Sequence, residues 1–295
     1  MANAIQLPPN QEILKTHPKL TFERNGYTYT IERKGDLSTY TVRDGAGEIS
    51  LPIQYAFGVH NQNFVLQYQG RFYEALVSYF QKLDGLALNL GDEHLQHRSL
   101  VEAMGRNISN QEVVECFNCH STGGVSQGRL TLDSLQPGVD CEHCHPGAAA
   151  HMEAIGQGKT AALPAKLGQM RAEDMSNFCG RCHRTWEFIV RAREWGEVNV
   201  RFSGYRLANS KCFLGDDPRI RCTACHNPHA SLAGDQAGYD RACLACHASS
   251  PRKSCPVSKN NCAGCHMPKV ALADGHDIFT DHQIRIVRPG DPYPN

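Results

Sequence analysis

The chain has 295 residues, with 30 Lys and Arg against 30 Asp and Glu, so its formal charge is zero and nothing in it points to nucleic acid or an anionic membrane as partner. No run of about 18 apolar residues occurs, so no membrane span is predicted, and the length allows one large or two modest domains with a real core. Its 14 cysteines read at first as a disulfide scaffold.

The chain opens MANAIQLPPNQEILK, without the basic and apolar regions of an export signal. Residues 20–80 lack cysteine and alternate apolar with polar positions. Asn25-Gly26, Lys34-Gly35-Asp36, Asp44-Gly45 and Gln69-Gly70 punctuate runs rich in Tyr, Thr, Val and Ile. That is the period-two strand pattern with hairpin turns, and it predicts an antiparallel meander of five or six strands. Residues 1–97 are therefore read as a β-rich domain.

From residue 98 to 295 the pattern changes to short helices and loops, which makes the fold class α+β. Ser109 with Glu112 has the spacing of a capping box and starts a helix running into the first cysteine pair. SNFCGRCHRTWEFIVRAREW, residues 176–195, reads as one helix. Residues 145–179 and 183–222 hold Gly, Pro and small side chains with little periodicity and are expected to wrap whatever the cysteines carry.

Six cysteine pairs of the form C-x-x-C are each followed at once by histidine: Cys116, Cys119, His120; Cys141, Cys144, His145; Cys179, Cys182, His183; Cys222, Cys225, His226; Cys243, Cys246, His247; and Cys262, Cys265, His266. A C-x-x-C alone is also the half-site of a zinc ribbon. With 15 histidines in 295 residues, however, a histidine follows a given pair by chance about one time in twenty, and here it follows all six. The pattern is the attachment signature of c-type haem, in which two thiols bond the vinyl groups and the histidine ligates the iron.

Six covalently attached haem c groups account for twelve cysteines and leave Cys212 and Cys255. Haem is attached outside the cytoplasm, where thiols oxidise, so these two are expected to form a disulfide. By the same reasoning the chain is expected to be a mature or trimmed form of a periplasmic or extracellular protein. The haem propionates would make the loaded protein more acidic than its sequence pI of 7.2, favouring a basic or dipolar redox partner. Attachment motifs between residues 116 and 266 average one per about 25 residues, too dense for a polypeptide core around each. Haem faces must supply packing there, and without them that region is not expected to fold.

Each motif histidine fills one axial position of its iron. A second protein ligand gives a low-spin electron-transfer centre, whereas an open position allows a substrate to bind. Nine histidines lie outside the motifs: His17, His60, His94, His97, His143, His151, His229, His276 and His282. Methionine is scarce, with six in the chain, so bis-histidine ligation and low potentials are expected. His229 lies three residues beyond His226 with Pro228 between; so short a tether cannot reach the opposite face of the same haem, so it would serve a neighbour. His151 is similarly placed beyond His145. His276 and His282 follow the last motif. His94, beside a Gly-Asp turn, is preferred to His97, and His17 is placed to fold back. These six, His17, His94, His151, His229, His276 and His282, are the favoured distal ligands; His60 and His143 are read as surface or supporting residues.

On CEHCHPGAAAH, CTACHNPH and CAGCHMPK with HDIFTDHQIRIVRP, residues from about 105 to 290 resemble multihaem c-type cytochromes of the cytochrome c554 kind, which share haem packing with hydroxylamine oxidoreductase and pentahaem nitrite reductase. The resemblance implies that the histidine after CHxP, here His229, ligates an adjacent haem. Pentahaem nitrite reductase uses lysine in its catalytic motif, and no C-x-x-C-K occurs here. The leading expectation is an extracytoplasmic hexahaem carrier passing electrons between redox partner proteins through stacked haems. An alternative is a reductase or oxidase of a small nitrogen or sulfur species at one five-coordinate haem, with Arg184 or Tyr205 as proton donors. A third is a structural subunit of an oligomer or larger cytochrome assembly, with the meander as docking module or plain cap.

Overall fold

The computed structural model describes residues 3–160, 163–164, 166–213, 219–230, 235–248, 254–272, 275–288 and 290–294. The chain forms two compact units: residues 1–164 with 273–277, and residues 165–272 with 278–295.

In the first unit, β1 (Ile5–Gln6) precedes α1 (Glu12–Thr16) and then a four-stranded antiparallel meander, β2 (Lys19–Arg24), β3 (Tyr27–Lys34), β4 (Leu37–Arg43) and β5 (Glu48–Pro52). The predicted Asn25-Gly26 turn joins β2 to β3 with φ of 50° and 83°, the left-handed pair that a two-residue hairpin with right-twisted arms needs. Alternation works as read. Tyr29 and Ile31 lie opposite Val42 and Tyr40, and all four side chains are fully buried.

A second, five-stranded sheet has the order β1-β6-β7-β8-β11, from β6 (Tyr55–Phe57), β7 (Asn63–Tyr68), β8 (Arg71–Ala75) and β11 (Gly105–Asn107). Between β8 and β11 lie a hairpin, β9 (Val77–Phe80) and β10 (Gly85–Leu88), and the helix α2 (Leu100–Met104). Eight strands, β2 to β9, therefore replace the expected five or six, because the meander ends at Pro52 and the chain starts a new sheet with strands as short as three residues. Such short strands give no readable period.

The expected boundary at residues 97 and 98 falls inside this unit. Met104 is fully buried in the meander's core, and the Tyr40 hydroxyl donates to its carbonyl at 3.0 Å. Gly105 then brings β11 against β8, where a Cβ would lie 2.1 Å from the Glu74 carbonyl oxygen. From there the chain enters α3 (Asn110–His120), which the capping box starts as predicted: the Ser109 hydroxyl accepts from Glu112 N at 3.2 Å and Ser109 N donates to the Glu112 carboxylate at 2.8 Å. Phe117, fully buried, packs edge-on against Tyr55, Phe57 and Phe72, so α3 stands on the second sheet. Two further helices, α4 (Cys141–Cys144) and α5 (Ala148–Gly156), contain no buried residue.

The second unit is helical: α6 (Ala172–His183), α7 (Trp186–Ala192), α8 (Ser203–Ala208), α9 (Cys222–Cys225), α10 (Gln236–His247) and α11 (Cys262–His266). The single helix expected over 176–195 is two. Arg184 takes a left-handed φ of 63°, and the Thr185 hydroxyl caps α7 by accepting from Phe188 N. Helices α5 and α8 also occupy stretches read as having little periodicity. In this unit the largest fully buried side chain is not apolar but Arg206.

Glu112 gives the first unit a defined acid sensitivity. Hydrogen bonds from Arg106 (2.6 Å) and from Ser109 N hold its carboxyl down at about 2, below the ordinary 4.5. A depressed carboxyl contributes stability that is complete above the unfolded value and is lost as pH falls from about 4.5 toward 2. Glu112→Gln is expected to cost about 1 kcal/mol at neutral pH, solvent screening included, and to flatten the loss in that acid window. Thermal melts of both proteins by circular dichroism across pH 2–7 check this.

Candidate functional site

All six attachment motifs sit at helix ends or on single-turn helices, which fits their five-residue spacing: a helical turn brings the two thiols to one side and sets the histidine at the C-terminus. Cys116, Cys119 and His120 form the last turn of α3; Cys141, Cys144 and His145 lie on and just after α4. In the second unit Cys179, Cys182 and His183 end α6, while Cys243, Cys246 and His247 end α10. Cys222 and Cys225 are α9 with His226 as its cap, and Cys262, Cys265 and His266 are α11.

Several imidazoles are already set in one tautomer. His120 Nδ1 lies 2.8 Å from the Ala4 carbonyl oxygen, and His266 Nδ1 lies 2.9 Å from that of Arg285. A carbonyl only accepts, so each Nδ1 carries the proton and each Nε2 presents its lone pair, the state a metal requires. His282 is set in the same way by Thr280, at 3.0 Å. Among the described residues the buried His226 Nδ1 has no hydrogen-bond partner. Burial pushes the His226 and His282 imidazoles below their ordinary range, and the nearby His183 adds to this at His226.

The four motifs of the second unit converge. The Cys222 thiol meets the Cys179 thiol, a hydrogen bond that pulls Cys222 down to about 7, and Cys243 meets Cys262, which burial and the Asp240 carboxylate push up to about 11. Asp240 on α10 accepts from Asn261 N and Cys262 N, both at 2.8 Å, so one motif's helix caps the next.

Behind the last motif stands a fully buried ion pair. Arg206 Nε and Nη2 each donate to Asp281 at 2.8 Å, and Arg206 Nη1 donates to Asn199 Oδ1 at 3.2 Å and to the Pro294 carbonyl at 2.8 Å. Gln283 N and Arg285 also donate to Asp281. Burial pushes the Asp281 carboxyl up, but these hydrogen bonds outweigh it and its net position is below the usual range. Asp240, Asp281, Arg206 and Asn199 carried no readable signal: Arg206 and Asp281 are 75 positions apart, and neither belongs to a motif.

The donor set fits haem c. Each motif offers two thiols and an imidazole, while among the described residues no three His, Cys, Asp or Glu side chains converge as a protein-only metal site of the zinc type. Large apolar side chains that follow the motifs in sequence are exposed. On α5, Met152 and Ile155 are 68% and 55% exposed, and Trp186 and Trp195 are 44% and 45% exposed.

The favoured distal histidines fare differently. His17 has both ring nitrogens engaged, Nδ1 with the Ile13 carbonyl at 3.1 Å and Nε2 with Asp84 at 2.8 Å. His276 packs edge-on against Phe80 with ring centroids 4.9 Å apart. His94 and His229 are exposed and His151 lies on α5, while His282 lies beside a motif imidazole, its ring centroid 6.2 Å from that of His226. His60 is exposed and His143 sits within α4, while His97 packs against Tyr27. Arg184 lies over the Phe188 ring and Tyr205 packs on Trp186. The expected disulfide is absent. Cys212 and Cys255 are both free thiols, the first half-buried and pushed up by burial, the second exposed; spare thiols and an oxidising compartment do not by themselves bring two Cα atoms within bridging distance.

Residues 88–146 match the family described as cytochrome c554 and c-prime, so the chain is similar to c-type electron-transfer cytochromes over the stretch holding its first two motifs. The match supports a cytochrome c554-like multihaem cytochrome with covalently bound haem c. It begins earlier than the resemblance read from about residue 105 and ends before the four later motifs. No curated protein and no solved structure matches the chain. Among the described residues no helix is long and apolar enough to cross a membrane.

Removing either partner of the buried pair strands the other's charge. Arg206→Ala and Asp281→Ala are each expected to cost the second unit about 3–5 kcal/mol. A double Arg206→Met, Asp281→Leu variant is expected to cost far less than the two single losses combined. Denaturant midpoints read through haem absorbance check the cycle.

Proposed function

We propose that the protein is an extracytoplasmic hexahaem c-type cytochrome that relays electrons between redox partner proteins through closely packed, bis-histidine haems. The observation that carries this reading is the sixfold repeat of two thiols followed by an imidazole, each copy at a helix end. Bound haem supplies the one-electron chemistry of its iron. The polypeptide's part is to hold and orient. Cysteines anchor the macrocycle, carbonyls of Ala4 and Arg285 fix the tautomers of His120 and His266, and Asp240 ties the last two attachment helices together.

The convergence of the four later motifs supports short transfer distances in the second unit. Distal ligands are drawn from His17, His94, His151, His229, His276 and His282. If His17 serves an iron, it must first leave Asp84. His229, held by the Asn227 side chain on an exposed loop, serves a neighbouring haem in this reading. An extracytoplasmic location follows from where haem is attached, and propionates on an otherwise neutral chain favour a basic partner surface.

The intact mass of the loaded protein is expected to exceed that of the chain by six haems. Ferric spectra are expected to be low-spin throughout and unchanged by CO after reduction; a high-spin centre that binds CO would replace the carrier reading with a catalytic one. His229→Ala is expected to keep every haem attached while one haem other than its own becomes high-spin, which mass spectrometry and EPR together resolve.

A further inference from the structure

We infer that His226 and His282 are the two axial ligands of a single iron, that of the haem attached through Cys222 and Cys225. This rests on the haem-attachment reading above and adds which distal histidine serves which centre.

The first observation is a distance. The two ring centroids are 6.2 Å apart. A five-membered ring with bonds of about 1.35 Å holds each nitrogen about 1.15 Å from its centre, and a metal–imidazole bond is about 2.0 Å long. Two imidazoles bonded to opposite faces of one metal therefore have centres about 6.3 Å apart. The rival account is an ordinary ring contact. The 47° tilt does not separate the two, since Tyr29 and Tyr40 pack at 6.4 Å and 50°, so the pairing rests on the distance together with the hydrogen bonding and anchoring of the two rings.

The second observation is the hydrogen bonding. The His282 Nδ1 donates to the Thr280 carbonyl, which leaves its Nε2 lone pair for a metal, while among the described residues the buried His226 Nδ1 has no hydrogen-bond partner and so does not fix the other tautomer.

The third is rigidity. His282 follows Asp281, which Arg206 locks in place. Its own carbonyl accepts from the Ser210 hydroxyl at 3.2 Å, and that hydroxyl accepts from Ile284 N at 2.8 Å. On the other side, His226 caps α9 and rests edge-on against Tyr239, with centroids 5.6 Å apart. Two imidazoles 56 positions apart in sequence are thus held at a metal's span. His229, only three residues from His226, cannot take this place.

The test uses the loaded protein. His282→Ala is expected to retain all haems by mass, convert one low-spin ferric centre to high-spin, and add one CO-binding centre that free imidazole restores to low-spin. In a Cys222→Ala, Cys225→Ala background, which lacks that haem, His282→Ala is expected to add no CO-binding centre. His282→Met keeps a ligand and is expected to raise one midpoint potential. The pairing is overturned if His282→Ala leaves every centre as it was, or if its new CO-binding centre persists without the Cys222 and Cys225 haem. Should the alanine variant not accumulate, unchanged potentials in His282→Met overturn it equally. A wild-type chain with no covalent haem fails the attachment reading instead, and its mass reveals this before any ligand variant is made.

Discussion

The buried pair of Arg206 and Asp281 is the constraint on which the second unit's ligand geometry depends. Taking two charges out of water costs several kcal/mol for each ion, and their attraction offsets this only when the geometry is excellent and the remaining donors and acceptors are filled. Here both conditions hold. The guanidinium and carboxylate meet through two parallel 2.8 Å bonds, the spare guanidinium donor reaches Asn199 and Pro294, and the carboxylate also takes Gln283 N and Arg285. A hydrophobic pair of equal volume would stabilise the unit as well or better, but would tolerate sliding. A bidentate pair fixes register. The segment it fixes runs from Asp281 to Arg285 and carries His282 at one end and the carbonyl that orients His266 at the other.

The two units solve the packing problem in different ways. In the first, two sheets and α2 bury Tyr29, Ile31, Tyr40, Val42, Phe64, Leu66 and Met104 completely, so a core exists without any cofactor. The first attachment motif inherits that rigidity through Phe117, which sits among three aromatic rings of the second sheet. Helices α4, α5, α9 and α11 bury none of their own residues. An apolar helix such as AAAHMEAIG cannot leave that much carbon in water and be stable on its own at nine residues. In the haem-attachment reading, folding of these helices would be coupled to attachment, with the haem supplying the apolar cover that Leu, Ile and Phe supply in the sheets.

What the sequence made legible was local. A haem-attachment motif spans five residues, the Asn25-Gly26 hairpin two, and the Ser109–Glu112 box four; each can be read because its chemistry is complete within a short window. The helix break at Arg184 was not legible, since nothing about a non-glycine residue announces a left-handed φ. The split between residues 97 and 98 marked a real change in local pattern. It could not show that Met104 and Phe117, both beyond it, are buried against the sheets. The distant partners of Asp240 and Asp281, Asn261 and Arg206, lie 21 and 75 positions away, and no periodicity encodes such a pairing. The same holds for the distal histidines: the chain offered nine, and only packing could place His282 beside His226 and His17 beside Asp84.

Protonation ties these features together. A histidine can ligate a metal only when neutral, and an exposed imidazole begins to take a proton near pH 6.5. His226 and His282 are both depressed by burial, so both stay neutral to lower pH than an ordinary imidazole. The cost appears in the fold. For an imidazole whose folded value is lowered, the unfolded chain binds protons first, so stability falls as pH drops below the unfolded value. The net-depressed carboxyl of Asp281 contributes in the same direction at lower pH, because its stabilisation is lost as pH falls through its folded value. The burial that keeps both imidazoles available thus makes this unit progressively acid-sensitive, first through its histidines and then through the ion pair that positions them.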